Sequence, residues 1–280
     1  MGILAGRNLL ITGVVSSASL AYHTARIAQE EGARIVLTSH RRPALVEYLA
    51  ESLPQHCPVV PLDVTDGQDL AALADRVGEH VPGVDGVLHS VAYAPPRALG
   101  GHILHTSWAD VATTLHTSAY SLAALTEAIL PLMNGRGSIV SLGFDASVAW
   151  PGYNWMGIAK AALESCVRYL ARDLGHRGIR VNLVAAGPVR TLAASAVPQF
   201  EALESAFVSQ APLGWSPDNP DTVARTCVAL LSSWLPATTG SVIYADGGAH
   251  MVGTAGSLSS PCDQSETAST FTPTTWADYT

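Results

Sequence analysis

Lysine is nearly absent from this chain. Lys160 is the only lysine among its 280 residues. The chain has 15 lysine and arginine residues in all, and the rest of them are arginine. Arginine presents a wide planar fork, whereas lysine carries a compact ammonium group on a flexible stem. A site that must place a point charge beneath a sugar hydroxyl needs the compact group. The single lysine is therefore a candidate functional residue.

Other absences narrow the class of protein. The net charge of −8 provides no basic excess for nucleic acid or an anionic membrane. No apolar run approaches the roughly 18 residues of a transmembrane helix, and the N-terminus lacks the pattern of a secretory signal. The 4 cysteines form no C-x-x-C pair and the 10 histidines show no metal-ligand spacing. We expect a cytoplasmic protein with reduced cysteines, no metal, and neither a nucleic-acid nor a membrane partner.

Strand-like apolar runs alternate with helical stretches along most of the chain. The predicted strands are residues 8–12, 34–38, 58–63, 84–90, 138–142, 180–185 and 241–246, with helices over 19–31, 115–132 and 152–174. This alternation predicts a Rossmann-like, doubly wound, seven-stranded parallel sheet in a single α/β domain. No linker interrupts residues 1–252. Residues 253–280 form a Ser/Thr/Pro-rich tail, which we interpret as a dispensable extension rather than a packed segment.

Three predicted strands end in residues suited to a dinucleotide. Gly13 follows the first strand and leads to Ser19, a plausible N-cap, although the G-x-G-x-x-G fingerprint is absent. Asp63 and Val64 follow the third strand and suit an adenine edge. The run Ser90, Val91 and Ala92 follows the fourth strand, where small residues allow close approach to a ribose. Open α/β sheets bind ligands at this edge, so we expect a dinucleotide there.

The loop after the second strand bears on the choice of cofactor. NAD-preferring folds often place an acid here, whereas this chain has His40, Arg41 and Arg42. Guanidinium groups suit a 2′-phosphate. These residues predict NADPH rather than NADH, the alternative being two solvated surface arginines.

The ordered motifs carry a family resemblance. They are Gly13-x5-Ser19-Leu20-Ala21, Leu62-Asp63-Val64, the run 89–95, Tyr153-x6-Lys160, the run 182–188 and the run 244–248. Over about residues 3–252 this set resembles the short-chain dehydrogenase/reductase superfamily, and more closely its enoyl-acyl-carrier-protein reductase branch of fatty-acid biosynthesis. Phe144-Asp145, Tyr153-Asn-Trp-Met156 and the runs 187–193 and 234–239 look particularly like the mycobacterial long-chain type. That resemblance implies NADH, the alternative to the NADPH predicted from the arginines.

The resemblance implies a reaction and a set of roles. Hydride would pass from NAD(P)H to the β-carbon of a trans-2-enoyl group linked to acyl carrier protein or coenzyme A. Tyr153 would donate to the thioester oxygen, Lys160 would hold the nicotinamide ribose, and Phe144 would pack beside the nicotinamide unless it is only a core aromatic. The remaining implied cofactor contacts are Val14, Leu20, Val189 and Thr191, and the implied substrate contacts are Tyr93, Met156, Ala193, Val197 and Phe207. The relatives' pairing of helices implies a homotetramer.

Two features depart from the usual pattern. Carbonyl-reducing members of the superfamily use Tyr-x3-Lys with an upstream serine, and here those places hold Met156 and Gly143. Residues seven apart on a helix lie nearly on one face, so Tyr153 and Lys160 are expected to share a cleft. The lid over residues 191–215 looks shorter than in the mycobacterial type, which suggests a specialised paralogue. The alternatives are a pathway-specific imine, carbonyl or cyclising reductase and a non-catalytic dinucleotide sensor, which would not need Tyr153.

Overall fold

A computed structural model describes residues 1–100 and 102–253. Its core is one sheet of seven parallel strands in the order β3-β2-β1-β4-β5-β6-β7. The strands are β1 Asn8–Ile11, β2 Arg34–Ser39, β3 Val59–Pro61, β4 Gly86–His89, β5 Gly137–Gly143, β6 Ile179–Ala186 and β7 Val242–Ala245. The prediction of a Rossmann-like seven-stranded parallel sheet is confirmed. Almost all of the predicted tail, residues 254–280 and with it Cys262, lies outside the described residues.

Helices cover both faces of the sheet. They are α1 Leu20–Glu30, α2 Pro43–Glu51, α3 Gly67–Gly78, α4 Trp108–Leu115, α5 Ser121–Ile129, α6 Asn154–Leu174, α7 Phe200–Gln210 and α8 Asp221–Leu231. Successive side chains of a strand point to opposite faces. In β1, Leu9 and Ile11 join the core beneath α1, α2 and α8, whereas Leu10 joins the core beneath α3, α5 and α6. Two buried layers therefore fix the register of every central strand.

The predicted helix over 115–132 is part of a longer helical run that begins at Trp108, and four segments rather than one regular α-helix occupy the predicted range. Helix α4 ends at Leu115, a π-helical turn spans His116–Tyr120, and α5 ends at Ile129 before a short 3₁₀ turn. The Ser118 hydroxyl bonds the backbone of Tyr93, and the Ser121 hydroxyl donates to the Thr117 carbonyl. Hydroxyl groups that compete for backbone partners distort a helix locally, and π-turns are common at functional sites.

The predicted N-cap of α1 is confirmed, whereas the start of α6 differs from prediction. Ser19 lies at the N-cap of α1, but its hydroxyl donates to the Ser16 carbonyl at 2.6 Å instead of capping an amide. Helix α6 begins at Asn154 rather than at residue 152, because Gly152 has φ +76° and Asn154 has φ +40°. Tyr153 therefore lies just before the helix that carries Lys160. No helix of the described part of the chain is long and apolar enough to cross a membrane.

Candidate active site

Strands β1 and β4 diverge at the carboxyl edge of the sheet, where the strand order reverses. Gly13, with φ +85°, leaves β1 so close to β4 that an added Cβ would lie 1.9 Å from the Ser90 carbonyl oxygen. The Thr12 hydroxyl joins the two strands, donating to the Leu88 carbonyl at 3.0 Å and accepting from the Ser90 amide at 3.1 Å. Only glycine fits at position 13, and the crevice it opens is the usual ligand position of such sheets.

Unpartnered donors lie beside this crevice. Val14 is buried, and the loop that follows it places the Ser16 hydroxyl in a buried position without a partner among the described residues. The Ser39 hydroxyl, at the end of β2, is likewise buried and unpartnered within that part of the chain. Ser19 and Leu20 begin α1, whose first amides have no partner inside the helix. These groups fit the pyrophosphate and ribose oxygens of a dinucleotide.

Charged groups at the ends of β2 and β3 form a second cluster. His40 Nε2 lies 3.0 Å from Asp63 Oδ2, and Thr65 donates to the same carboxylate through its amide and hydroxyl. Burial alone would raise the pKa of Asp63, but the Thr65 hydrogen bonds and the charges of His40 and Arg41 lower it. Arg41 is exposed and has φ +59°, and Val64 is buried behind the carboxylate. The positive charge of Arg41 is thus partly offset by Asp63.

The segment after β4 lines the middle of the crevice. Ser90 and Val91 are half-buried, and Ala92 and Tyr93 are exposed. The Tyr93 amide donates to the Ser118 hydroxyl at 3.0 Å, and that hydroxyl donates to the Tyr93 carbonyl at 2.9 Å. The π-turn therefore fixes the backbone of this segment and leaves the Tyr93 ring at the surface.

Lys160 lies buried in α6 beneath the end of β5. Its Nζ donates to the Leu142 carbonyl at 3.0 Å, and desolvation lowers its pKa to about 8. This is the only hydrogen bond of the ammonium group within the described chain, so two of its three protons remain for a ligand. The geometry suits a lysine that holds a ribose hydroxyl.

The buried imidazole of His89 connects two serine hydroxyls close to Lys160. Its Nδ1 and Nε2 lie 2.9 Å from the hydroxyls of Ser141 and Ser121 respectively. Because the Ser121 proton is donated to the Thr117 carbonyl, Nε2 carries the imidazole proton and Ser141 donates to Nδ1. Burial, together with the charge of Lys160, lowers the pKa of His89 to about 3. The ring is therefore neutral and joins β4, β5 and α5.

Tyr153 lies between two apolar clusters. One side of its ring faces Phe144, at 5.1 Å between ring centroids, and the other packs with Met156 and Ala94. Burial raises the pKa of Tyr153, so the hydroxyl stays protonated at neutral pH. That hydroxyl has no hydrogen-bond partner among the described residues, and it is free to donate to a substrate.

Asn154 holds Tyr153 in place, a role that its position in the run Tyr153-Asn-Trp-Met156 did not indicate. The Asn154 side-chain amide donates to the Gly100 carbonyl, while the Gly100 amide donates to the Gly152 carbonyl at 2.9 Å. The left-handed φ of Asn154 is uncommon for a residue other than glycine. The backbone on both sides of Tyr153 is thereby tied to the loop after β4.

The lid follows β6 and covers the same edge of the sheet. Val189 is buried, the Thr191 hydroxyl accepts from the Ala194 amide at 3.1 Å, and a turn carrying Ala193 and Val197 leads to α7. Phe207 of α7 is 1% exposed and packs against Phe144. The structure thus brings Phe207 to Tyr153 and Phe144, whereas Ala193 is exposed and Val197 half-buried on the lid turn.

The fold and this site define a dinucleotide-dependent oxidoreductase of the short-chain dehydrogenase/reductase type. A family model described as "Enoyl-(Acyl carrier protein) reductase" matches residues 13–250. The chain belongs to this family, which confirms the resemblance drawn from its motifs.

Curated relatives agree with the family match. An "Enoyl-[acyl-carrier-protein] reductase [NADH]" of Mycolicibacterium smegmatis is 46% identical over 262 residues, covering 89% of this chain and 97% of the relative. The protein of the same description from Mycobacterium avium is 45% identical over 261 residues, with coverage of 89% and 97%. An enoyl-[acyl-carrier-protein] reductase [NADH] of Aquifex aeolicus is 41% identical over 261 residues, with coverage of 91% and 96%.

Proposed function

We propose that this chain is a nicotinamide-dependent reductase of trans-2-enoyl groups carried as thioesters on acyl carrier protein. The observation that carries the proposal is the Tyr153 hydroxyl, which is unpartnered in the described structure and lies between Phe144 and Met156. The position of the usual carbonyl-reductase tyrosine holds Met156 instead, and that of the serine holds Gly143. Neither residue can protonate a carbonyl oxygen, so the site suits a substrate that is reduced at a carbon–carbon double bond.

Each residue of the site has a distinct role in the reaction. When bound, the cofactor would supply a hydride to the β-carbon of the enoyl thioester. Hydride addition would leave negative charge on the thioester oxygen, which Tyr153 would stabilise by donating a hydrogen bond, and a proton from solvent at the α-carbon would complete the saturated thioester. Lys160 holds a ribose hydroxyl of the cofactor and adds positive field at the same edge of the sheet. Phe144 supplies an apolar wall beside the reacting carbons.

NADH is the cofactor we propose, in place of the NADPH preference that the sequence predicted. The curated relatives are named for NADH, and the charge of Arg41 is partly offset by Asp63. Steady-state kinetics with both cofactors decide the matter. We expect the higher kcat/KM with NADH, and Arg41→Ala should change it little. A higher kcat/KM with NADPH that falls in Arg41→Ala would restore the earlier prediction.

A substrate panel tests the proposed function. Purified protein is mixed with NADH and a trans-2-enoyl thioester on acyl carrier protein or coenzyme A, and absorbance of the reduced cofactor is followed. A ketone, an imine and a saturated thioester are run in parallel. Oxidation of NADH with the enoyl thioester alone is the expected result. Reduction of the ketone or imine alone would favour a pathway-specific reductase, and binding of NADH without any turnover would favour a sensor.

A further inference from the structure

Three aromatic rings, those of Phe144, Trp150 and Phe207, fill the lid side of Tyr153. The Phe144 ring centroid lies 5.1 Å from that of Tyr153, 5.3 Å from that of Trp150 and 5.7 Å from that of Phe207. Trp150 and Phe207 pack against each other at 5.2 Å. Rings at these separations are in direct contact. An acyl chain that runs from Tyr153 towards the lid therefore meets a wall formed by Trp150 and Phe207.

Trp150 is fixed from the sheet side. Its indole Nε1 donates to the Asp145 carbonyl at 2.8 Å, directly after β5. Asp145 is buried, and its carboxylate accepts from the Ser147 amide at 3.0 Å. The indole is thereby tied to the segment that also supplies Phe144, so it cannot turn aside without losing a hydrogen bond.

Phe207 is fixed from the lid side. Arg190 Nε donates to Glu204 of α7 at 2.9 Å, and Arg190 Nη1 lies 2.7 Å from Asp218 beyond the lid. Near the start of the lid, a Cβ on Gly152 would lie 2.5 Å from the Pro198 carbonyl oxygen. The lid therefore packs against the segment that carries Tyr153, and its Phe207 ring contacts the ring of Phe144.

We propose that Trp150 and Phe207 determine substrate chain length, closing the acyl site so that the protein selects short enoyl thioesters. The inference rests on the proposed function and adds its substrate class. On the other side of Tyr153 lie Met156, Ala94 and Ala98, with Leu99 and Trp155 packed against them. A short chain fits between these two surfaces, whereas a long one must displace a ring and the lid contacts that hold it.

The test compares chain lengths in variants of the wall. The kcat/KM values are measured with NADH for the trans-2-butenoyl, trans-2-octenoyl and trans-2-dodecenoyl thioesters of acyl carrier protein. Wild-type protein should favour butenoyl over dodecenoyl by at least about tenfold, and Trp150→Met and Phe207→Ala should each raise the dodecenoyl-to-butenoyl ratio by about tenfold or more, within the range that pocket shape confers. Trp234→Met and Val208→Ala, at exposed positions, are matched controls that should leave the ratio unchanged.

The outcomes distinguish failure of the chain-length inference from failure of the proposed function. NADH fluorescence and thermal unfolding identify folded variants, and Phe207→Leu replaces Phe207→Ala if the latter does not fold. Equal use of all three thioesters by wild type, or an unchanged ratio in folded Trp150 and Phe207 variants, overturns the chain-length inference alone. Reduction of none of the three by wild type overturns the proposed function and this inference with it.

Discussion

Tyr153 and Lys160 act on different molecules at one site. The Tyr153 hydroxyl is unpartnered in the described structure and faces the substrate side, whereas Lys160 is bonded to the Leu142 carbonyl beneath the cofactor side. An interaction made chiefly in the transition state lowers kcat when it is removed, and one shared with the ground state also weakens binding. The two residues should therefore be separable by kinetics.

Tyr153→Phe removes the donor to the developing oxyanion. The variant should bind NADH as wild type does and reduce the enoyl thioester roughly 10- to 1000-fold more slowly, as for loss of one oxyanion donor. Fluorescence titration and single-turnover kinetics measure the two quantities. Tyr48→Phe, at an exposed position of α2, is the control. Wild-type turnover in Tyr153→Phe would show that Tyr153 is not the donor.

Lys160 should make cofactor affinity depend on pH. Desolvation lowers its pKa to about 8 in the free protein, and cofactor binding needs the charged form. Affinity for NADH should be greatest below about pH 8 and fall as pH rises through that value. Lys160→Ala should bind weakly throughout, and Lys160→Arg should lose the pH dependence because its charge persists. A wild-type Kd that is constant from neutral to alkaline pH would contradict this role.

At the scale of elements, His89 joins three parts of the fold through two serines. Its folded-state pKa of about 3 lies far below the ordinary value of 6.5. Between these values the unfolded chain binds a proton that the folded chain does not. The free energy of unfolding should therefore fall as pH drops from 6.5 towards 3, by up to about 1.4 kcal/mol per pH unit from this group.

His89→Asn should remove that part of the acid sensitivity. Urea unfolding across the acid range measures it as the difference in slope between wild type and variant, since the other groups titrate in both proteins. His176→Asn, at an exposed position, should keep the wild-type slope. Identical slopes in wild type and His89→Asn would mean that the histidine does not stay neutral in the folded state.

The secondary-structure elements differ in how well the sequence alone predicts them. The strands were predictable because each is a short apolar run that must be buried on both faces of a parallel sheet. The π-turn was not predictable from the sequence, because it depends on a hydrogen bond between Ser118 and Tyr93, which lie far apart in sequence. In the site, Lys160 and Tyr153 stood out by rarity and spacing. Asn154 and Trp150 did not, because their importance comes from contacts with Gly100 and Phe207 that only the folded chain creates.

At the scale of the whole molecule, we predict a homotetramer. The apolar side chains of Leu122, Leu125, Ile129, Leu163 and Val167 in α5 and α6 do not support it, because they are buried within the subunit itself. Other residues do support it: the exposed large hydrophobic side chains on α4, the π-turn and α6 are Trp108, Tyr120, Ile158 and Tyr169. Such side chains clustered on neighbouring elements mark an interaction surface.

Sedimentation velocity at micromolar concentration tests the assembly. A single species of four times the chain mass of 29.2 kDa is expected, and Tyr120→Glu together with Tyr169→Glu should reduce its size. The double substitution places charge on apolar surface that the assembly would bury. A monomer at that concentration would contradict the prediction.

Delivery of hydride to the β-carbon of an enoyl thioester is the activity proposed for this protein. Turnover with NADH deuterated at the transferred position of C4 and trans-2-butenoyl thioester, with the product examined by mass spectrometry and NMR, measures where the hydride goes. We expect a saturated thioester with one deuterium at the β-carbon, formed far more slowly by Tyr153→Phe. Deuterium at the carbonyl carbon, or no saturated product from wild-type protein, would contradict it.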